Sequence, residues 1–184
     1  MGRLRYTVIM SLDGYLTDAD GRYDWAMPDD EVVAHVTARE SSADTHLYGR
    51  RMYTEMRGWE DVTDGRPGPD LDFARGWRAA DKIVYSTSLP GVTTARTRLE
   101  RTFDPVAVRA LVDALPGDAS ISGPTLAAEA LRQGIVDDIE LYVVPVLVGG
   151  GLRALPYGAR YGLEPVEQHR FGNGFVLLHY RRTG

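Results

Sequence analysis

Cysteine is absent from all 184 residues. That excludes disulfides, thiolate metal sites, a cysteine nucleophile and redox-thiol chemistry, and it is compatible with a reducing cytoplasm. Concentrated charge is also missing. The net charge is −5, and the longest basic runs are the pairs Arg50-Arg51 and Arg181-Arg182. A nucleic-acid surface needs a clustered basic footprint, so that class of partner is set aside. No apolar stretch approaches the length of a membrane span. The first one, Tyr6 to Met10, is interrupted by Ser11 and Asp13 too early for a secretory signal. The four histidines, His35, His46, His169 and His179, lack the paired spacing of a metal site, and no metal is assigned. What is present, 43% hydrophobic and 26% charged residues, suits a soluble chain long enough to bury a core unaided. The expectation is one cytoplasmic domain over residues 1–184.

The chain alternates between two periodicities. Arg5 to Met10 reads as a buried strand that ends at the turn residues Ser11, Asp13 and Gly14. Pro28 to Ala43 reads as a helix with Asp29, Asp30 and Glu31 in its first turn, where carboxylates suit the positive end of the dipole. Thr45 to Tyr48 is a short strand stopped by Gly49, and Arg50 to Met56 a turn or two of helix. Gly58 to Asp72 reads as an irregular loop, and Leu71 to Trp77 as a short helix. Lys82 to Ser86 is another strand; Thr87 to Arg98 is loop-like, with room for a short strand. Pro105 to Ala114 has helical apolar spacing, Ala119 to Ser122 is a strand, and Thr125 to Gln133 is a helix closed by Gly134. Asp138 to Val148 is the most apolar strand, and Glu164 to Phe171 with Gly174 to Arg181 form a hairpin around Gly172-Asn173-Gly174. Alternating strands and helices imply a mostly parallel sheet covered on both faces, closed by an antiparallel edge.

Ligands of open α/β sheets collect at the carboxyl ends of strands, where helix N-termini offer unpaired N–H groups. Four segments have that form. Ser11-Leu12-Asp13-Gly14 combines hydroxyl, carboxylate and glycine, though Asp-Gly is equally ordinary turn chemistry. In Gly49-Arg50-Arg51 a strand ends in glycine and turns into a helix, with guanidinium forks adjacent for a phosphate. Ser86-Thr87-Ser88 places hydroxyls at a strand end, as many loops do. Ser122-Gly123-Pro124-Thr125-Leu126 is strand, glycine and helix start; Pro124 at the first helical position loses nothing, because its N–H would be unpaired anyway.

The order of these segments carries a resemblance. Gly49-Arg50-Arg51-Met52-Tyr53 looks like the Gly-Arg-x-Thr/Tyr segment of dihydrofolate reductases and their relatives. Ser122 to Leu126, then Gly134-Ile135-Val136-Asp137-Asp138, then Pro145-Val146-Leu147-Val148-Gly149-Gly150-Gly151 resemble the reductase domain of the bifunctional riboflavin-biosynthesis deaminase-reductase. Ser11 to Gly14 matches that family's first loop, and the resemblance runs from about Tyr6 to Tyr180. It implies a dihydrofolate-reductase-like α/β fold, a central, mostly parallel eight-stranded sheet with helices on both faces and a C-terminal antiparallel hairpin. NADPH would lie across the strand ends. Gly49, Arg50 and Arg51 would meet its phosphates, Ser86 and Thr87 its adenosine ribose, and Gly123, Pro124, Thr125 and Leu126 its diphosphate or nicotinamide side.

Ser11 and Asp13 would lie toward the substrate or the nicotinamide, and Trp25 would wall the substrate cleft, with core packing as its other reading. The stretch Trp25-Ala26-Met27-Pro28-Asp29-Asp30 resembles the Trp-x-x-Pro-x-Asp of the folate enzymes and would put Asp30 at their substrate-binding carboxylate, though the spacing on to Gly49 is longer here. Position 122 is Ser where the riboflavin family has Gly, and the His-x-Glu and Pro-Cys-x-x-Cys of the zinc deaminases are missing. The implied activity is NADPH-dependent reduction of a C=N bond in a pyrimidine or ribosylamino-uracil substrate, with Asp13 and Asp30 as candidate proton routes. A pteridine reductase is the neighbouring reading, and a catalytically idle NADPH-binding protein the rival from another class. The sequence is compatible with a homodimer in which Ile139 to Val148 and Gly149-Gly150-Gly151 lie at the subunit contact.

Overall fold

The computed structural model describes residues 2–62 and 69–184. Ten strands and five α-helices follow in chain order among them: β1 Leu4–Ser11, β2 Tyr15–Thr17, α1 Asp30–Glu40, β3 Ala43–Gly49, α2 Arg50–Met56, α3 Pro69–Ala79, β4 Asp81–Tyr85, β5 Thr97–Glu100, α4 Pro105–Ala114, β6 Asp118–Ser122, α5 Pro124–Arg132, β7 Asp138–Val144, β8 Leu152–Arg153, β9 Leu163–Arg170 and β10 Val176–Arg182. Eight strands form one sheet in the order β5-β4-β3-β6-β1-β7-β10-β9, and β2 pairs with β8 in a separate ribbon. Every pairing from β5 to β7 is parallel, and β10 is antiparallel to both its neighbours. One strand in eight therefore runs against the rest.

Side-chain alternation explains which face each helix covers. Along β1, Leu4, Tyr6 and Met10 join Ile121 of β6 and Leu141 of β7 in a core closed by Val108 and Val112 of α4 and Leu126, Ala127 and Leu131 of α5. On the opposite face, Val32 of α1 packs with Tyr142 and Leu177, and Trp77 of α3 packs with Tyr48, Tyr53 and Val84. That second face is unusually polar beneath α1. Arg5 Nη2 donates to Arg39 O and Ser42 Oγ, both at 3.0 Å. Arg39 Nη1 donates to Glu140 at 2.9 Å, and His35 Nδ1 lies 2.8 Å from the Tyr142 hydroxyl. A helix over such a face needs few apolar residues, which is why α1 shows little amphipathic pattern. Lys82, 1% exposed, lies in the same layer. An unpaired buried ammonium would cost several kcal/mol. Here Nζ donates to Trp77 O and Ala80 O, both at 2.9 Å, satisfying carbonyls left over at the end of α3.

Several element boundaries differ from the sequence reading. The helix expected over Pro28 to Ala43 is α1, shorter at both ends: Asp29 is its cap, accepting from Val32 N, and Ala43 already belongs to β3. The strand expected to reach Val148 stops at Val144, because Pro145 has no N–H for the ladder. Part of the expected loop from Gly58 is a 3₁₀ turn, Arg57–Asp61, and α3 begins at Pro69; residues 63–68 of that loop lie outside the described residues. The strand allowed for within Thr87 to Arg98 proves to be the edge strand β5, which begins at Thr97 and runs two residues past that range. β7 is hydrogen-bonded on both sides, to β1 and β10, and offers no free edge.

Candidate functional site

Two strand ends meet at the centre of the sheet. β3 and β6 are parallel neighbours with Tyr48 opposite Ser122, so Gly49 and Gly123 follow side by side and open α2 and α5. A β-carbon on Gly123 would lie 3.4 Å from Met52 Cβ and 3.9 Å from Gly49 N, so the turns are in near contact. Gly123 has φ +97°, a conformation that L side chains rarely adopt. Neither helix has a side-chain cap, whereas Asp29 caps α1 and Asp104 caps α4. The first N–H groups of α2 and α5 are thus left to other partners, and uncapped helix N-termini favour anions.

A cleft of about 640 Å³ covers these turns. It is lined by Gly49, Arg50, Arg51 and Met52 from one side, Gly123, Pro124, Thr125 and Leu126 from the other, and Thr17 and Leu152 of the β2–β8 ribbon across the top. Arg50 and Arg51 are exposed, and among the described residues neither is in an ion pair. Two carboxylates, Glu55 and Glu129, share the rim; Glu129 is paired with Arg132 at 3.8 Å and accepts from Gln133. Tyr85 also lines the cleft, with burial pushing its hydroxyl up to about 12.

The residues expected to hold a cofactor are therefore brought together in this cleft, apart from Ser86 and Thr87. Ser86 Oγ is committed to a local turn, accepting from Ser88 N and Leu89 N, and Thr87 is exposed beside it. Neither lines the cleft.

A second, smaller cleft of about 270 Å³ adjoins the first beneath the same strand ends. Tyr48 and Ser122 line it, each one residue before a glycine of the first cleft, and Met52 belongs to both. Its walls are Met56, Trp59 and Phe73 on one side and Thr7, Ile9 and Val36 on the other. Glu40, the last residue of α1, reaches it with a side chain only 13% exposed. Burial holds the Glu40 carboxyl above the usual carboxylate range, opposed by the Ser120 hydroxyl, the Arg5 guanidinium and the Thr7 hydroxyl.

The candidates for substrate contact are placed otherwise. Ser11 is fully buried; its hydroxyl donates to Asp13 at 2.6 Å and accepts from Tyr15 N. Asp13 clamps the chain after β7, accepting from Val148 N at 3.2 Å and Gly149 N at 2.7 Å. The Ser11 hydroxyl and these two amides hold its carboxyl below the usual range, which favours a fixed anion over a proton donor. Trp25 packs against the Val32, Tyr142 and Leu177 cluster with Nε1 3.3 Å from Arg22 O, and Asp30 is exposed on the first turn of α1. Neither lines the two clefts. The sequence reading missed Glu40, Phe73 and the two methionines. Within Arg39-Glu40-Ser41-Ser42 a glutamate looks like any solvated helix end, and only the fold turns it inward.

An eight-stranded sheet with its seventh strand reversed and glycine turns after β3 and β6 defines the dihydrofolate-reductase-like architecture that the resemblance implied. Residues 119–177, from β6 into β10, match the family model of the RibD C-terminal domain. No curated protein sequence matches the chain. Among solved structures, a protein attributed to riboflavin biosynthesis in Shewanella sp. PV-4 superposes with a TM-score of 0.76, 19% identity and complete coverage of both chains. A pyrimidine reductase-like protein of Corynebacterium diphtheriae gives 0.66 and 16% identity over 100% of this chain and 92% of that one. The diaminohydroxyphosphoribosylaminopyrimidine deaminase/5-amino-6-(5-phosphoribosylamino)uracil reductase of Thermotoga maritima gives 0.68 and 14% identity, with 99% of this chain covering 57% of that chain. At these identities the likeness carries the fold.

Proposed function

We propose that the protein is an NADPH-dependent reductase of a C=N bond in a heterocyclic substrate of the pyrimidine or ribosylamino-uracil kind. The observation that carries this is the pair of uncapped helix N-termini at Gly49 and Gly123, opening side by side into a cleft that also holds Arg50 and Arg51. The residues fit such a group: bare backbone at two turns for a diphosphate, and two guanidinium forks for a further phosphate. When bound, NADPH would supply the hydride. The chain's own part is position and exclusion of water. The amides of α2 and α5 fix the anionic portion, and the β2–β8 ribbon closes over it. The second cleft holds the acceptor against the strand ends, within the short range that hydride transfer requires. Asp13 contributes by fixing the segment that leads from β7 towards the ribbon.

The fold matches in riboflavin-pathway proteins and the RibD C-terminal segment favour this reading over a pteridine reductase. The test is a titration with NADPH and with NADH, followed by NADPH consumption on adding reducible pyrimidines and pteridines. Binding without consumption of NADPH by any of them would favour the idle NADPH-binding protein.

A further inference from the structure

The helical run that begins after Gly49 does not stop with α2. Arg57, at φ −61° and ψ −20°, carries it without a break into the 3₁₀ turn Arg57–Asp61. The first residues of the run line the larger cleft, and Met56 and Trp59 near its end wall the second. One stretch of chain therefore reaches both clefts. Its far end needs outside support, because a 3₁₀ turn has poorer internal hydrogen bonds than an α-helix and a helix end leaves carbonyls without partners. Arg78, in the last turn of α3, supplies it. Its Nη1 donates to Trp59 O at 3.2 Å, Glu60 O at 3.5 Å and Val62 O at 2.8 Å, and a cation suits the negative end of the helix dipole. The Trp59 ring is held from the same helix, tilted 59° against Phe73 with centroids 4.8 Å apart. On the other flank, Thr93 N and Thr94 N donate to the Tyr53 hydroxyl at 2.8 and 3.3 Å, and Ala95 N donates to Glu60 Oε1 at 3.3 Å.

We propose that Arg78 is a positioning residue for the acceptor: by holding the turn after α2 in its 3₁₀ form, it lays the Trp59 ring along the second cleft. This rests on the reductase reading for the role of the bound ring as hydride acceptor. Arg78 lines neither cleft, so it acts on a ligand only through what it holds. The geometry sets the size of the effect. Side chains advance about 120° per residue in a 3₁₀ turn and about 100° in an α-helix, so a turn released from Arg78 swings Trp59 by about 20° for each residue that relaxes. In a cleft of about 270 Å³, small among ligand pockets, such a swing removes one wall. The larger cleft is spared, because Gly49, Arg50 and Arg51 lie at the opposite end of the run.

Fluorescence titration of the intact chain with 5,6-diaminouracil, a flat pyrimidine without a phosphate, tests this beside a titration with NADPH. In the wild type the pyrimidine should quench a tryptophan signal that Trp59→Phe removes. Arg78→Ala should shift that signal to the red as the ring meets water. It should also weaken pyrimidine binding about three- to tenfold, the cost of ordering one or two loosened side chains, and leave NADPH affinity within about twofold. Arg78→Lys, which keeps the charge but not the fork, should fall between the two. Three results would each overturn the proposal: no pyrimidine binding to the wild type, unchanged pyrimidine affinity in Arg78→Ala, or equal weakening of pyrimidine and NADPH, the mark of a general loss of structure. Should Arg78→Ala fail to fold, Arg78→Gln takes its place with the same readouts. Failure of NADPH to bind the wild type, with the pyrimidine results as expected, removes the reductase reading and leaves the role of Arg78 in shaping the cleft.

Discussion

Gly49 and Gly123 occupy equivalent places, each the residue between a strand and a helix, yet substitution by alanine has different consequences. Gly123 has φ +97°, where an L residue costs about 1–2 kcal/mol, and its added methyl would press on Met52 Cβ at 3.4 Å. Gly49 has φ −77°, open to any residue, and a β-carbon there meets only Leu126 Cβ at 3.8 Å, an ordinary contact. Removing glycine freedom from the unfolded chain favours Gly49→Ala by about 0.4–1 kcal/mol. Alanine's poorer fit at a helix N-cap takes back a similar amount. The net change for Gly49→Ala is therefore within about 0.5 kcal/mol of zero, while Gly123→Ala loses about 1–2 kcal/mol. For a chain of this size that separates the two melting temperatures by roughly 1–10 °C. Thermal unfolding of the three proteins by circular dichroism, without ligand, reads the difference. Equal melting temperatures for the two variants would show that the left-handed turn after β6 does not exist in solution, and the cleft geometry built on it would fall.

The buried histidine gives a pH signature. His46 titrates near 4 in the folded protein and near 6.5 when unfolded, so on acidification the unfolded chain takes the proton first. Its contribution is whole above pH 6.5 and is lost progressively down to about pH 4, by ~3 kcal/mol. Urea unfolding between pH 7 and 4 should show a steeper decline for the wild type than for His46→Gln, and matching slopes would contradict this. Asp13 acts with the carboxylate sign: its folded value lies below the usual one, so the clamp is present above that value and lost as the acid form appears. Asp13→Ala should speed amide exchange at Val148 and Gly149, and unchanged protection there would remove the clamp.

The fold was legible because its signals are local. Pro124 after glycine, the helical apolar spacing from Pro105, and the apolar run from Ile139 each announce a strand end or an element in neighbouring residues. The larger cleft was legible for the same reason, since Gly49-Arg50-Arg51 and Gly123-Pro124-Thr125-Leu126 each lie within a few residues of one another in the chain. What stayed hidden depends on distant partners. Ser11 and Asp13 look like ligand groups until the chain after β7 arrives and consumes both of Asp13's oxygens. The β2–β8 ribbon joins two- and three-residue segments far apart in the chain, too short for any periodicity. Glu40 becomes a cleft residue only because α1 crosses a polar sheet face, a property of alternate residues on five strands. The turn Gly149-Gly150-Gly151 also depends on distant partners within the chain: Gly149 N binds Asp13, and Gly151 presses against Thr17 O where no β-carbon fits.

The central claim is that two adjacent helix N-termini and two exposed arginines grip a phosphorylated nicotinamide dinucleotide. Fluorescence titration of the wild-type protein with NADPH and with NADH tests it most directly. The account predicts saturable NADPH binding at least tenfold tighter than NADH, with that preference reduced in the Arg50→Ala, Arg51→Ala double variant. Absence of NADPH binding, or equal affinity for the two nucleotides in the wild-type protein, would contradict it.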